Sequence, residues 1–311
     1  MACYKPLEGY RDPNTNGLTF KKTRPLQEKL TVACGQCLGC RTDRALMWAV
    51  RIVHESTLHQ DHYGNCFVTL TYRDKHDCTP DELRNGYHVP DDFSLNKKHF
   101  QDFIKRLRKR YPQRIRYFHC GEYGDKTQRP HYHACLFNID FQDSIVWKQE
   151  QGITTYESKA LNNAWPYGFA TLGELNYETA AYTARYILKK ITGERAHDHY
   201  LRNDEYGVAY WLQPEYVTMS LKPGIGYDFY AKYSSDIFPA DLSAVPGKGV
   251  IHKVPRYYQT LLERSDPKTL ELVKQLRQEF ITKHQGDFTP ERLQARYKCH
   301  QAKNTMRRDK L

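Results

Sequence analysis

Two short segments hold residues whose types and spacing could do chemistry. Pro130-His131-Tyr132-His133 puts imidazoles at i and i+2. Side chains alternate between the faces of a strand, so His131 and His133 share one face and can reach a single metal ion. Further along, Tyr182 and Tyr186 stand one helical turn apart, with Lys189 returning to the same face. A phenol titrates near pH 10 and attacks poorly unless a metal or a cation stabilises its developing charge. Lys189, or its neighbour Lys190, could supply that charge or hold a phosphate. A metal beside a tyrosine can break a phosphodiester and conserve the bond in a covalent link, so that it can be rejoined. Taken singly, each pattern also has a plain structural reading, as a polar strand face or a packed tyrosine stripe.

A third ligand is suggested by the hairpin that carries the histidines. Residues 114–123 and 131–139 read as two strands joined by the polar stretch 124–129, which places Glu122 where it could face the pair. Two imidazoles and a carboxylate leave positions open for water and phosphate oxygens. Such a set takes Mg²⁺ or Mn²⁺ and would also bind Zn²⁺. A separate cluster, Cys34, Cys37 and Cys40, has C-x2-C-x2-C spacing, with Cys3 a distant fourth thiol. Tetrahedral Zn²⁺ would staple this N-terminus; free thiols and an iron–sulfur cluster are the alternatives.

These residues need elements to position them. Residues 1–40 read as loop-rich, and a helix is expected over 42–58 from Ala45, Leu46, Ala49, Ile52 and Val53. A strand follows over 66–72, then a polar loop over 73–93. Ser94 or Asn96 caps a helix whose apolar stripe is Phe100, Phe103, Ile104, Leu107 and Tyr111, and Pro112 ends it. Its other face carries Lys105, Arg106 and Lys109, candidate contacts to DNA phosphates. Asn176 caps a helix over 177–191 that Gly193 terminates. Another strand covers 216–220. The expected fold is α+β, with a central antiparallel sheet flanked by helices. The expected organisation is a Cys-rich segment (1–40), a core (41–250) and a basic helical extension (251–311).

Composition narrows the partners. The 311 residues carry a net charge of +11, with 47 Lys+Arg and 24 Tyr. Cations interleaved with aromatic rings suit unpaired bases, which stack while phosphates meet the charges. Residues 252–311 hold 14 Lys+Arg against 7 Asp+Glu, or +7 of that total. There is no apolar run long enough for a membrane span and no signal-peptide pattern. Nine scattered cysteines argue against a secreted disulfide framework. The expected compartment is the cytoplasm, its own or a host's.

Phe67-Val68-Thr69-Leu70-Thr71-Tyr72, Pro130-His131-Tyr132-His133 and Tyr182-x-x-x-Tyr186-x-x-Lys189 resemble, in order and spacing, the three motifs of the HUH endonuclease superfamily. More closely, the chain resembles the replication initiators of the Microviridae, particularly the gokushovirus branch. Cys34-Gly35-x-Cys37-x-Gly39-Cys40-Arg41, Gly121-Glu122-Tyr123-Gly124 and Met219-Ser220-x-x-Pro223-Gly224-Ile225-Gly226 are similar to that family's signatures. The likeness spans about residues 30–230, and tyrosine stands between the histidines where the superfamily more often has an aliphatic residue. The resemblance implies an enzyme that nicks single-stranded or replicative-form DNA at an origin. It also implies a 5′-phosphotyrosine intermediate, a free 3′-OH, and alternation of the two tyrosines to release a closed circle. No G-x-x-x-x-G-K-[ST] is present, so helicase and polymerase would come from the host. A non-catalytic single-strand binding or packaging protein, and a relaxase or transposase, are the competing readings.

Overall fold

The computed structural model describes residues 3–308 except 16, 60–62, 126, 151, 187–190, 192–194, 204–205 and 252; for 195 and 304–308 it describes the backbone alone. Two compact units are formed, one from Met1–Leu46 with Asp266–Leu311, the other from Met47–Ser265.

The larger unit is built on a seven-stranded, wholly antiparallel sheet. Its spatial order is Tyr216–Met219, Arg116–Tyr123, Pro130–Phe137, Asn65–Tyr72, Gly168–Glu174, Ile153–Glu157 and Ile145–Glu150. The class is α+β, as the sequence implies. The histidine strand Pro130–Phe137 and the strand Asn65–Tyr72 occupy the interior because their apolar content lets both faces be covered.

One face packs on the helix Lys97–Arg110. Val68, Leu70, Ala134 and Leu136 meet Phe100, Phe103, Ile104 and Leu107, with Trp165 filling the far side. Burying a Phe or Leu side chain contributes roughly 1.5–3 kcal/mol, so this stripe fixes the helix on the sheet. Asn96 is the N-cap, its side chain accepting from the Lys98 N–H at 3.0 Å. Tyr132, the residue between the histidines, belongs to this core. Its hydroxyl lies 2.7 Å from that of Tyr72 and donates to the Asn96 carbonyl at 2.9 Å. A tyrosine at this position therefore joins the sheet to the helix cap and stays off the metal face.

The opposite face carries His131, His133, Glu122, Thr69 and Phe118, and helices cover part of it. Helix Leu38–Thr57 brings Trp48 to 5.1 Å from Phe118 between ring centres. The buried Glu55 carboxylate binds Arg116 on the sheet and accepts the Gly226 N–H at 2.7 Å. Gly226 has φ +80°, and a Cβ there would sit 2.5 Å from the Tyr258 hydroxyl, which explains the glycine in the Pro223–Gly226 turn.

Several boundaries differ from expectation. The helix expected from Thr42 begins at Leu38, so Cys40 lies in its first turn. The stretch 73–93, expected as loop, contains the short helix Pro80–Arg84. There Thr79 and Glu82 form a capping box and Pro80 stands at the first position. The N-terminal 40 residues, expected as loops, include a three-stranded sheet of Leu18–Thr19, Leu7–Arg11 and Lys29–Val32. The tyrosine helix runs Tyr177–Arg185 with Tyr186 as its C-cap; Gly193 lies outside the described residues. The C-terminal region is helical as expected. Arg256–Ser265 packs in the larger unit through Tyr258 and Leu262, and Pro267–Lys283 and Pro290–Arg308 lie in the smaller one. No helix among the described residues is long and apolar enough to cross a membrane.

Candidate active site

Strand register assembles the site. Glu122 is paired directly with His131, and His133 with Cys120 on one side and Thr69 on the other. Directly opposed residues share a face, so Glu122, His131, His133 and Thr69 converge. Glu122 Oε1 is 2.7 Å from His131 Nε2 and 3.3 Å from His133 Nε2. One ligand atom from each of the three lies within 4.8 Å of the others.

The outer imidazole nitrogens are held by neighbours. His131 Nδ1 donates to the Arg129 carbonyl at 3.1 Å, and His133 Nδ1 is 3.0 Å from Thr69 Oγ1. A carbonyl only accepts, so Nδ1 of His131 bears hydrogen and Nε2 is the nitrogen turned toward Glu122. Glu122 is 2 % exposed and His133 5 %. A carboxylate buried against imidazole nitrogens requires a proton or a cation between them. This donor set fits a divalent ion, and Arg129 and Thr69 are the outer partners that orient such ligands.

Both tyrosines meet His133. Asn176 caps their helix by accepting from the Thr179 N–H at 3.0 Å, and Thr183 reaches Cys135 on the histidine strand at 3.6 Å. This docking sets the Tyr182 ring edge-on to His133 at 5.1 Å and stacks Tyr186 on it at 5.2 Å. The two phenol rings are 4.9 Å apart. Tyr186 is buried, whereas Tyr182 is half-buried. Burial raises the Tyr186 phenol above its usual range, and Tyr182 and Glu122 act in the same direction.

Lys189 and Lys190 lie outside the described residues. Arg185 is a cation that the spacing argument passed over, with its guanidinium 5.8 Å from the Tyr182 ring centre. Three residues separate the two, so helical periodicity could have found it. Thr69 was also missed, because pairing between distant strands is not written in local sequence.

Lys105, Arg106 and Lys109 ride on Lys97–Arg110, across the sheet from the triad. Lys105 pairs with Asp102 at 3.2 Å, and Arg106 donates to the Ala164 carbonyl at 3.3 Å while lying over Tyr167. On the site face, Phe169 pairs with Thr71, which in turn pairs with His131. The exposed Trp147 of the edge hairpin packs on Phe169 at 5.2 Å. In the smaller unit, Cys3, Cys34, Cys37 and Cys40 come together.

A sheet that presents two histidines and a carboxylate to a pair of helical tyrosines defines the class, and comparison with known proteins gives the family. The family model for the phage replication-associated protein ORF2 matches residues 65–191, from the strand bearing Thr69 through the tyrosine helix. The chain is 33 % identical over 298 residues to replication-associated protein ORF2 of Spiroplasma virus 4, a match that covers 89 % of this chain and 86 % of that one. It is 30 % identical over 270 residues to replication-associated protein VP4 of Bdellovibrio phage phiMH2K, with coverages of 86 % and 79 %. Replication-associated protein ORF4 of Chlamydia phage 1 is 27 % identical over 173 residues, covering 53 % and 39 %. The chain belongs to this family of phage replication-associated proteins. No solved structure matches it.

Proposed function

We propose that the protein initiates rolling-circle replication by nicking phage DNA at its origin with a tyrosine. The observation that carries this reading is the convergence on one imidazole, His133, of a three-donor cluster and two phenol rings. Glu122, His131 and His133 would hold Mg²⁺ or Mn²⁺, which when bound neutralises charge on the scissile phosphate.

Tyr182, the more open phenol, is placed to act first. It loses its proton and its oxygen bonds to phosphorus; the P–O3′ bond breaks and the departing 3′-oxygen is protonated. The 5′-phosphotyrosine conserves the bond, and the free 3′-OH is a primer. Tyr186 then serves the second cleavage, and the released 3′-OH attacks the first phosphotyrosine to close the circle. Two nucleophiles on one face beside one ion suit this alternation, since neither cleavage requires the enzyme to leave the DNA. Arg185, and Lys189 beyond it, would offset phosphate charge. Phe169 and Trp147 offer stacking surfaces to unpaired bases. The partners would be single-stranded and replicative-form origin DNA together with host helicase and polymerase, all in the host cytoplasm.

The test incubates the protein with single-stranded origin oligonucleotides and Mg²⁺ or Mn²⁺. A covalent adduct that survives denaturation and disappears in Tyr182→Phe/Tyr186→Phe is the expected result. Tight binding without cleavage across a wide panel of origin sequences would overturn the reading in favour of a single-strand binding or packaging protein.

A further inference from the structure

The smaller unit contains a second constellation that the nicking chemistry does not use. The sulfurs of Cys3, Cys34, Cys37 and Cys40 all lie within 4.8 Å of one another. Cys34 and Cys40 are 4.0 Å apart, and Cys3 and Cys37 are 3.9 Å apart. Around Zn²⁺ with Zn–S bonds of about 2.3 Å, the edges of a regular tetrahedron are about 3.8 Å. A disulfide would need sulfurs about 2.05 Å apart, and all four cysteines are free.

The backbone is shaped around the sulfurs. The Tyr4 N–H donates to Cys37 Sγ at 3.4 Å, the Cys34 N–H to Cys3 Sγ at 3.3 Å, and the Cys37 N–H to Cys34 Sγ at 3.3 Å. Donors aimed at sulfur stabilise thiolates, the form that binds metal. Gly35, at φ +72°, turns the chain between the second and third ligands. Cys40 arrives on the first turn of Leu38–Thr57 and Cys3 from the N-terminal end. Residues far apart in sequence therefore close one tetrahedron.

The first ligand is adjacent to a contact with the last helix. The Tyr4 hydroxyl lies 2.9 Å from His300 Nδ1, and its ring is 5.6 Å from Tyr297, both on Pro290–Arg308. We propose that Cys3, Cys34, Cys37 and Cys40 bind one structural Zn²⁺, and that this ion, through Tyr4, fastens the N-terminal segment to the C-terminal helix. Ligation at Cys3 fixes the neighbouring residue, so order at one end of the chain is passed to the other. This assignment does not depend on the nicking reaction.

The test uses the full chain. Metal analysis of purified protein should find one zinc per chain that survives gel filtration. Exchange with Co²⁺ should give the thiolate charge-transfer and visible bands of a tetrahedral sulfur site. Cys37→Ser should lower zinc to background and remove those bands. Cys3→His, which keeps a ligand, should retain zinc with weaker charge transfer, and it guards against simple misfolding. His131→Ala/His133→Ala should leave zinc and cobalt signals unchanged. Tyr4→Phe should keep zinc but speed limited proteolysis within residues 290–308. Absence of zinc, iron with sulfide in its place, or zinc lost with the histidines and kept in Cys37→Ser would overturn the site. Unchanged proteolysis in Tyr4→Phe would overturn the fastening role.

Discussion

At the scale of residues, His133 is the hub, since it touches the carboxylate, both phenols and Thr69. The hydroxyl at its Nδ1 gives a way to perturb the ion without removing a ligand. Thr69→Val keeps the shape of the strand and deletes the outer hydrogen bond. Losses from such partners are typically 10–100-fold in metal affinity, so Mn²⁺ titration should weaken by about that factor with unfolding unchanged. An unaltered affinity would show that His133 is oriented by packing alone. The tyrosines can be separated too. Tyr182→Phe should abolish the first cleavage of an origin oligonucleotide, whereas Tyr186→Phe should still form the adduct but fail to release closed circles. The reverse pattern on a denaturing gel would exchange their roles. His131, His133, Glu122 and the tyrosines were legible because alternation and helical spacing are local rules. Thr69 was not, because its partner lies 64 positions away along the chain.

Among the elements, those that position the site were also the easiest to read. The helix Lys97–Arg110 announces itself by an apolar stripe and a capping Asn96. The edge strands Ile145–Glu150 and Ile153–Glu157 do not, since every position of the first is exposed and neither alternates between buried and open. That exposure supports a prediction about the hairpin. Trp147 is 51 % exposed and rests on Phe169, two strands from His131 on the same face. Stacking on an aromatic side chain is worth about 1–3 kcal/mol per base. Trp147→Ala should therefore weaken single-stranded DNA binding by roughly 5–150-fold, read by fluorescence anisotropy, with little change in thermal stability. Equal affinity would remove the hairpin from the DNA path. Lys105→Ala/Lys109→Ala, across the sheet, serves as the comparison.

For the whole molecule, the net charge of +11 speaks for a polyanionic partner and says nothing of what keeps the fold stable in acid. Three histidines govern that. His54 is buried between helices, with Nδ1 2.9 Å from the Tyr258 hydroxyl and Nε2 2.9 Å from the Ala244 carbonyl; burial pushes it down to about 4. Burial does the same to His99, also to about 4, and lowers the fully enclosed His119 well below its usual value. None of these could be separated by sequence from a surface histidine. A histidine whose folded value is depressed takes up its proton more readily in the unfolded chain. Its contribution is therefore complete above the unfolded value near 6.5 and is lost as pH falls toward the folded value. For His54 this amounts to about 2 kcal/mol between pH 7 and pH 5. Urea midpoints measured in the His131→Ala/His133→Ala background, where the triad cannot contribute, should be level above pH 7 and fall steadily between pH 6.5 and 4. A midpoint that holds from pH 7 to pH 5 would mean that these imidazoles are solvated in the folded protein, and that the helix–sheet packing around His54 and His119 is looser than their hydrogen bonds imply.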